Sequence, residues 1–333
     1  MIAAAIILAI CAGAAPGPAP RERGVAIGLF SAEERFDYAP YLEEVRALGA
    51  THVALAYVLW QRDQGATRIR AISTWTPTDA QIVGAARAAR SLGLHVTIFP
   101  ILRLEDATAG QWRGTIAPSD EDAWWRSYGE VIDHAVDLAL ESGAERVAVG
   151  SELVSREAQR SRWLELIERT RTRAPALELM YSANWDHYRP VSFWDAVDVI
   201  GITGYFELTQ DSAASTESMV GAWKQVIAEL EAFSAGLKRP LVISEIGYPS
   251  IDGGARWPWD QSRKAPVDLD EQRRAYQAFT EALGGRAFLD GIYVWNWYGA
   301  GGPSCRDYTP RKKPAALVLE RWYRSAASRT KGP

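Results

Sequence analysis

Two glutamates occupy places where a carboxylate is chemically useful and structurally costly. Glu152 ends the run Val149-Gly150-Ser151-Glu152, and Glu245 ends Ile243-Ser244-Glu245. Each follows directly on a short apolar segment. An ionised side chain there is poorly solvated unless it is partnered. One such residue is explained by an ion pair with an arginine; two of them point to chemistry. Paired carboxyls suit cleavage of an acetal, because one can protonate the leaving oxygen while the other acts at the anomeric carbon or on water. A separation of about 5–5.5 Å goes with retention of configuration, and about 6.5–9.5 Å with inversion. Burial or mutual repulsion should raise the pKa of one member.

The elements that must position these residues follow from periodicity. Eight short β-branched runs begin near Val25, His52, His95, Arg146, Leu177, Val197, Leu241 and Gly291. Amphipathic helical stretches alternate with them, over Tyr41 to Leu48, Asp79 to Leu92, Trp124 to Leu140, Arg160 to Arg173, Met219 to Leu237 and Asp270 to Leu283. Thr78 suits an N-cap for the second of these, and Gly93 follows its end. Alternating strands and helices predict parallel βα units, and eight of them predict an α/β fold of the (β/α)8 TIM barrel type in one domain over residues 21–333. An open doubly wound sheet is the alternative, but no GxGxxG follows the first strand.

Barrels place their chemistry at the C-terminal ends of the strands. Those ends are rich in groups that suit a sugar. Trp60 ends the second strand, Asn184 and Trp185 the fifth, Tyr205 the sixth, and Trp295 and Trp297 the eighth. The Tyr205 hydroxyl could hold the neighbouring carboxylate, and Trp295 could form the floor of a sugar subsite. Trp112 and Arg113 follow the third strand and offer a stacking face and a donor fork. Taken singly, each ring could be rim packing, and Arg113 could pair with Asp120 or Glu121.

Composition bounds the other possibilities. The 333 residues are 47% hydrophobic and 23% charged, as expected of a packed globular chain. A net charge of −4 leaves no electrostatic footprint for nucleic acid. The four histidines show no paired ligand spacing, and the two cysteines are Cys11 and Cys305, so neither a metal nor another cofactor is expected. Residues 1–20 read as a signal peptide and linker: the apolar run Ala3 to Ala12 is too short to span a bilayer, and small residues follow it. No basic segment precedes that run. The expected protein is exported, secreted or periplasmic, and has no stable membrane insertion once the signal is removed. Lipid anchoring through Cys11 is the lesser alternative, because Ile10 is too large for the residue before a lipidated cysteine. The expected partner is a polysaccharide or oligosaccharide substrate, acted on by a monomer.

Across nearly the whole chain after residue 20, ordered phrases resemble glycoside hydrolase family 113, within the clan of retaining barrel enzymes. They are TPTDAQI, QWRGTIAPSDEDAWWRSY, VGSEL, YSANWD, FWDAVDVIGITGYF, SEIGYPSIDGGARWPW and VWNWYGAGGPSCRDYTPRKKPA. The resemblance implies a β-1,4-mannanase acting by double displacement, with Glu152 as general acid/base and Glu245 as nucleophile. It implies sugar-binding or supporting roles for Trp112, Arg113, Asn184, Tyr205 and Trp295. Two segments depart from the wider pattern. Ser151 precedes Glu152 where the clan commonly has Asn, and the third strand ends in Ile101 and Arg103 where relatives often carry His and Asp. The second departure leaves the exact sugar open. Another β-glycanase or exo-β-glycosidase is one rival reading, and a carbohydrate-binding barrel without turnover is another.

Overall fold

Burial is almost continuous along every principal strand, so both faces of each are covered. A computed structural model of the protein describes residues 20–31, 33 and 35–327. Among these residues the strands are β1 (Glu22–Gly28), β2 (His52–Gln61), β3 (Ile69–Arg70), β4 (His95–Leu104), β5 (Arg146–Ser151), β6 (Glu178–Ala183), β7 (Val199–Thr203), β8 (Leu241–Ile246) and β9 (Leu289–Val294). The α-helices are α1 (Ala39–Leu48), α2 (Asp79–Ser91), α3 (Glu121–Ser142), α4 (Arg160–Arg173), α5 (Thr216–Ala235), α6 (Leu269–Leu283) and α7 (Pro314–Ala327).

Eight strands pair in parallel, in the order β1-β9-β8-β7-β6-β5-β4-β2, and pairing of β1 with β2 closes the ring. The result is the expected (β/α)8 barrel. The two-residue β3 is an addition, antiparallel to the tip of β2. No α-helix separates β6 from β7; turns fill that connection. The helix α7 lies beyond the amphipathic stretches read from the sequence. Thr78 caps α2 with a reciprocal capping box to Gln81.

Inside the ring, Ala26, Ala54, Ala56, Phe99, Ala148, Met180 and Val242 pack together. Outside it, Val25, Ile27, Ile98, Val147 and Ile243 meet the helices. The narrow interior needs small residues on some strands and accommodates large ones on others.

The N-terminal end of the barrel is plugged by charge. Arg146 donates to both oxygens of Glu22 at 2.9 and 2.8 Å and to Glu178 at 3.1 and 2.9 Å. The Tyr293 hydroxyl donates to Glu22 at 2.7 Å. Gly24 makes room for that ring: a Cβ there would lie 2.3 Å from Tyr293.

Candidate active site

Simple alternation does not deliver Glu245 to the barrel mouth. On β8, Val242 faces inward and Ile243 outward. Ser244 faces inward again, with its Oγ 2.7 Å from Ser182 Oγ. Glu245 would then face the helices. The register of β8 shifts against β7 between Ile202 and Thr203, and against β9 between Ile243 and Ile246. Irregularities of this kind re-aim a side chain, and here Glu245 enters the mouth.

Glu152 is placed by a second irregularity. The register of β5 shifts between Ala148 and Gly150. A Cβ on Gly150 would meet Tyr181, Tyr128 and Trp163 within 3.0 Å, so only glycine fits beneath those rings. Glu152 itself adopts a left-handed backbone, φ 52°. A non-glycine residue there costs on the order of 1–3 kcal/mol and persists where its surroundings hold it. Two bonds hold it: its own N–H donates to the Ser182 carbonyl at 2.8 Å, and the Leu153 N–H donates to the Tyr181 hydroxyl at 3.0 Å.

Both glutamates line one cleft of about 630 Å³ at the C-terminal end of the barrel. Glu152 is 5% and Glu245 3% exposed. The Tyr205 hydroxyl donates to Glu245 Oε2 at 2.9 Å. The other oxygen, Oε1, has no hydrogen-bond partner among the described residues. Burial first, and then the charge of Glu152, push the Glu245 pKa up to about 8, against Arg113, Tyr205 and Arg103. Burial and the same carboxylate hold the Tyr205 hydroxyl well above its ordinary value, so it remains a donor.

Arg113 pairs directly with Glu152, whereas Glu121 is taken by Arg156 and Asp120 caps α3. The guanidinium belongs to the site and not to the surface pairs considered from sequence. It rises from a 3-10 turn, Arg113–Thr115, and lies 5.8 Å from the centre of the Trp112 ring.

Trp112, Arg113, Asn184, Trp185, Tyr205 and Trp295 all line the cleft with the two glutamates. The peptide bond Trp295–Asn296 is cis. The Asn184 amide donates to Asp186 at 2.6 Å. Two expected residues are elsewhere. Trp60 leans on Trp75, ring centres 4.8 Å apart, and is outside the cleft lining. Trp297 is buried in the outer layer: its N–H donates to the Ala26 carbonyl and its indole to Glu44 at 2.8 Å. Phe30, Trp259, Asp186, Glu207 and Gln261 line the cleft without having been singled out. Trp259 stacks on Trp185 at 5.3 Å and is 39% exposed, a ready platform for a sugar face. Its signal was the second Trp of the RWPW phrase, a loop position where core packing is a poor explanation.

Asp252, Asp268 and Glu271 approach one another closely, but Glu271 accepts from the Gly253 and Ala255 N–H groups, and Asp268 caps α6. Their oxygens serve a turn and a helix start.

A family model described as Glycoside Hydrolase Family 113 matches residues 30–304. Among solved structures, a β-mannanase of that family from Alicyclobacillus acidocaldarius, in complex with ManMIm, is similar at 27% identity and TM-score 0.80, covering 93% of this chain and 98% of its own. Two structures described as β-1,4-mannanases of the family share the fold at 24% and 23% identity, with TM-scores of 0.82 and 0.81; each match covers 92% of this chain and 99% of the other. No curated protein matches the chain by sequence.

Proposed function

Since the chain belongs to glycoside hydrolase family 113, we propose that it cleaves β-1,4-linked mannan or manno-oligosaccharides with retention of configuration. The observation that carries this reading is the pair Glu152 and Glu245, both buried and both open to one cleft. Tyr205 holds Oε2 of Glu245 and leaves Oε1 unengaged. Oε1 is the atom that attacks the anomeric carbon, while Glu152 gives a proton to the departing oxygen. Glu152 then takes a proton from water, which releases the sugar from Glu245.

The proton inventory supports the cycle. Double displacement needs one proton on the pair, and burial with mutual repulsion retains one near neutral pH. Arg113 pairs with Glu152, which favours the proton on Glu245. The first step requires that proton on the acid and Glu245 ionised.

The experiment is product analysis on mannan, glucomannan and glucan. Proton NMR should show the β-anomer formed first from mannan. Glu245→Ala given azide should yield a glycosyl azide of inverted configuration. An α-anomer as the first product removes the retaining mechanism, and release from glucan alone removes the mannanase assignment. Export is proposed on the apolar run Ala3 to Ala12. That run and Cys11 lie outside the described residues, and N-terminal sequencing of the extracellular protein tests the proposal.

A further inference from the structure

We propose that the cleft contains a subsite for a carboxylated sugar unit, with Arg103 as the group that binds its carboxylate. This rests on the glycosidase reading above and adds a substrate class to it.

The inner face of β4 carries Phe99, Ile101 and then Arg103, spaced by two along the strand. Phe99 and Ile101 pack in the barrel interior, and Ile101 and Arg103 line the cleft. Arg103 therefore crowns an inward row beside the two glutamates. Among the described residues it has no ion-pair partner and no hydrogen-bond partner, whereas the other cleft arginine, Arg113, is taken up by Glu152.

The electrostatics of this wall are unbalanced. Arg103 is itself exposed at the mouth; partial desolvation by the surrounding wall first, and then the neighbouring charge of Arg113, push its pKa below its ordinary value, while Glu245 pulls the other way. Glu245 is itself driven toward its neutral form. With Glu152 neutralising Arg113, about one positive charge is left uncompensated on the β4 side. Asp186 and Glu207, on the loops after β6 and β7, also line the cleft and accept from Asn184 and Gln210. An anionic substituent is repelled there and attracted to Arg103. A sugar hydroxyl can accept from a guanidinium but cannot neutralise it; a carboxylate does both, through two parallel hydrogen bonds. The ligand is thus a β-linked oligosaccharide bearing a carboxylate at C6 of one unit.

The probes are β-1,4-manno-oligosaccharides of one length, either neutral or oxidised to the carboxylate at C6 of a single unit. With the wild-type enzyme, kcat/KM for the best acidic isomer should exceed that for the neutral chain by about tenfold or more. In Arg103→Gln the ratio should fall to within about twofold, and Arg103→Lys should fall between. Equal cleavage of acidic and neutral chains by the wild type overturns the inference and leaves the mannanase reading standing. A preference that persists in Arg103→Gln overturns it as well. If neither chain is cleaved, the functional reading fails, and calorimetric binding to Glu245→Gln decides the subsite alone. Tighter binding of the acidic chain, lost on adding Arg103→Gln, supports it; equal binding overturns it.

Discussion

At the N-terminal end of the barrel Glu22 is 4% exposed, and at the C-terminal end Glu245 is 3% exposed. Burial raises the pKa of both. At Glu22 that push is outweighed by hydrogen bonds and charge from Arg146, with smaller help from His52 and Tyr293, and the value falls to about 2. At Glu245 a second carboxylate adds to burial, and the value climbs to about 8. Depth is the same; the partners differ. The lower end satisfies its charges and so holds the ring together, whereas the upper end leaves an oxygen without a partner among the described residues and a left-handed glutamate in readiness. Chemistry is concentrated where stability has been given up.

The widest separation between the two ends should appear in turnover. Glu245→Ala is expected to lower kcat on mannan about 10⁴-fold or more, while Glu22→Gln, assayed where it is folded, should stay within about twofold. Equal losses would erase the contrast. The next effect is on stability. Arg146→Met leaves Glu22 buried beside Glu178 without a cation, which should cost about 3–5 kcal/mol by urea denaturation. A loss below about 1 kcal/mol would mean that the lower network contributes little. A smaller effect is expected from Tyr205→Phe, which removes the only hydrogen bond to the Glu245 carboxylate among the described residues. It should reduce kcat about 10–100-fold with KM little changed, and a change confined to KM would place Tyr205 in sugar binding alone.

The finest test is the slope of stability against pH. Glu22 has a depressed value, so its contribution is present above pH 4.5 and is lost as pH falls toward 2. Glu245 has a raised value, so its contribution is present below pH 4.5 and is lost as pH rises through about 8. Glu22→Gln should therefore flatten the acid limb of the melting-temperature profile. Glu245→Gln should flatten the limb from about 4.5 to 8 and melt about 2–4 °C higher at pH 8. Exchange of the two limbs would reverse both assignments.

The eight barrel strands were legible because each carries a compact apolar run, and six helices because each presents one apolar face. Residues with no such pattern were not. The pair Ile69–Arg70 is too short to show a period. Trp60 and Trp297 read as cleft residues by position, but Trp60 finds a neighbouring ring in Trp75, and the bond from the Trp297 N–H to Ala26 turns its indole toward Glu44 on α1. Glu152 and Glu245 were identifiable as a costly pair. Their shared cleft depends on strand irregularities that alternation does not reveal, and the pairing of Arg113 with Glu152 depends on where the loop after β4 folds back. Trp259 lay unmarked because its loop position argues against core packing without showing that the loop folds back onto Trp185 at the cleft.

The last helix closes a circuit begun by the first strand. Tyr323 on α7 donates to the Gly24 carbonyl of β1 at 2.8 Å, and Arg324 reaches the Ala47 carbonyl of α1 at 3.0 Å. In the interior of the ring β1 is flanked by β2 and by β9, some 270 residues further along. A nascent chain that has not reached Leu289 thus exposes one edge of β1 and the outer wall that α7 covers. Closure of the ring therefore waits for β9 and α7, so the earliest strand is held for partners made some 270 residues later, a long-range contact of the kind that forms slowly.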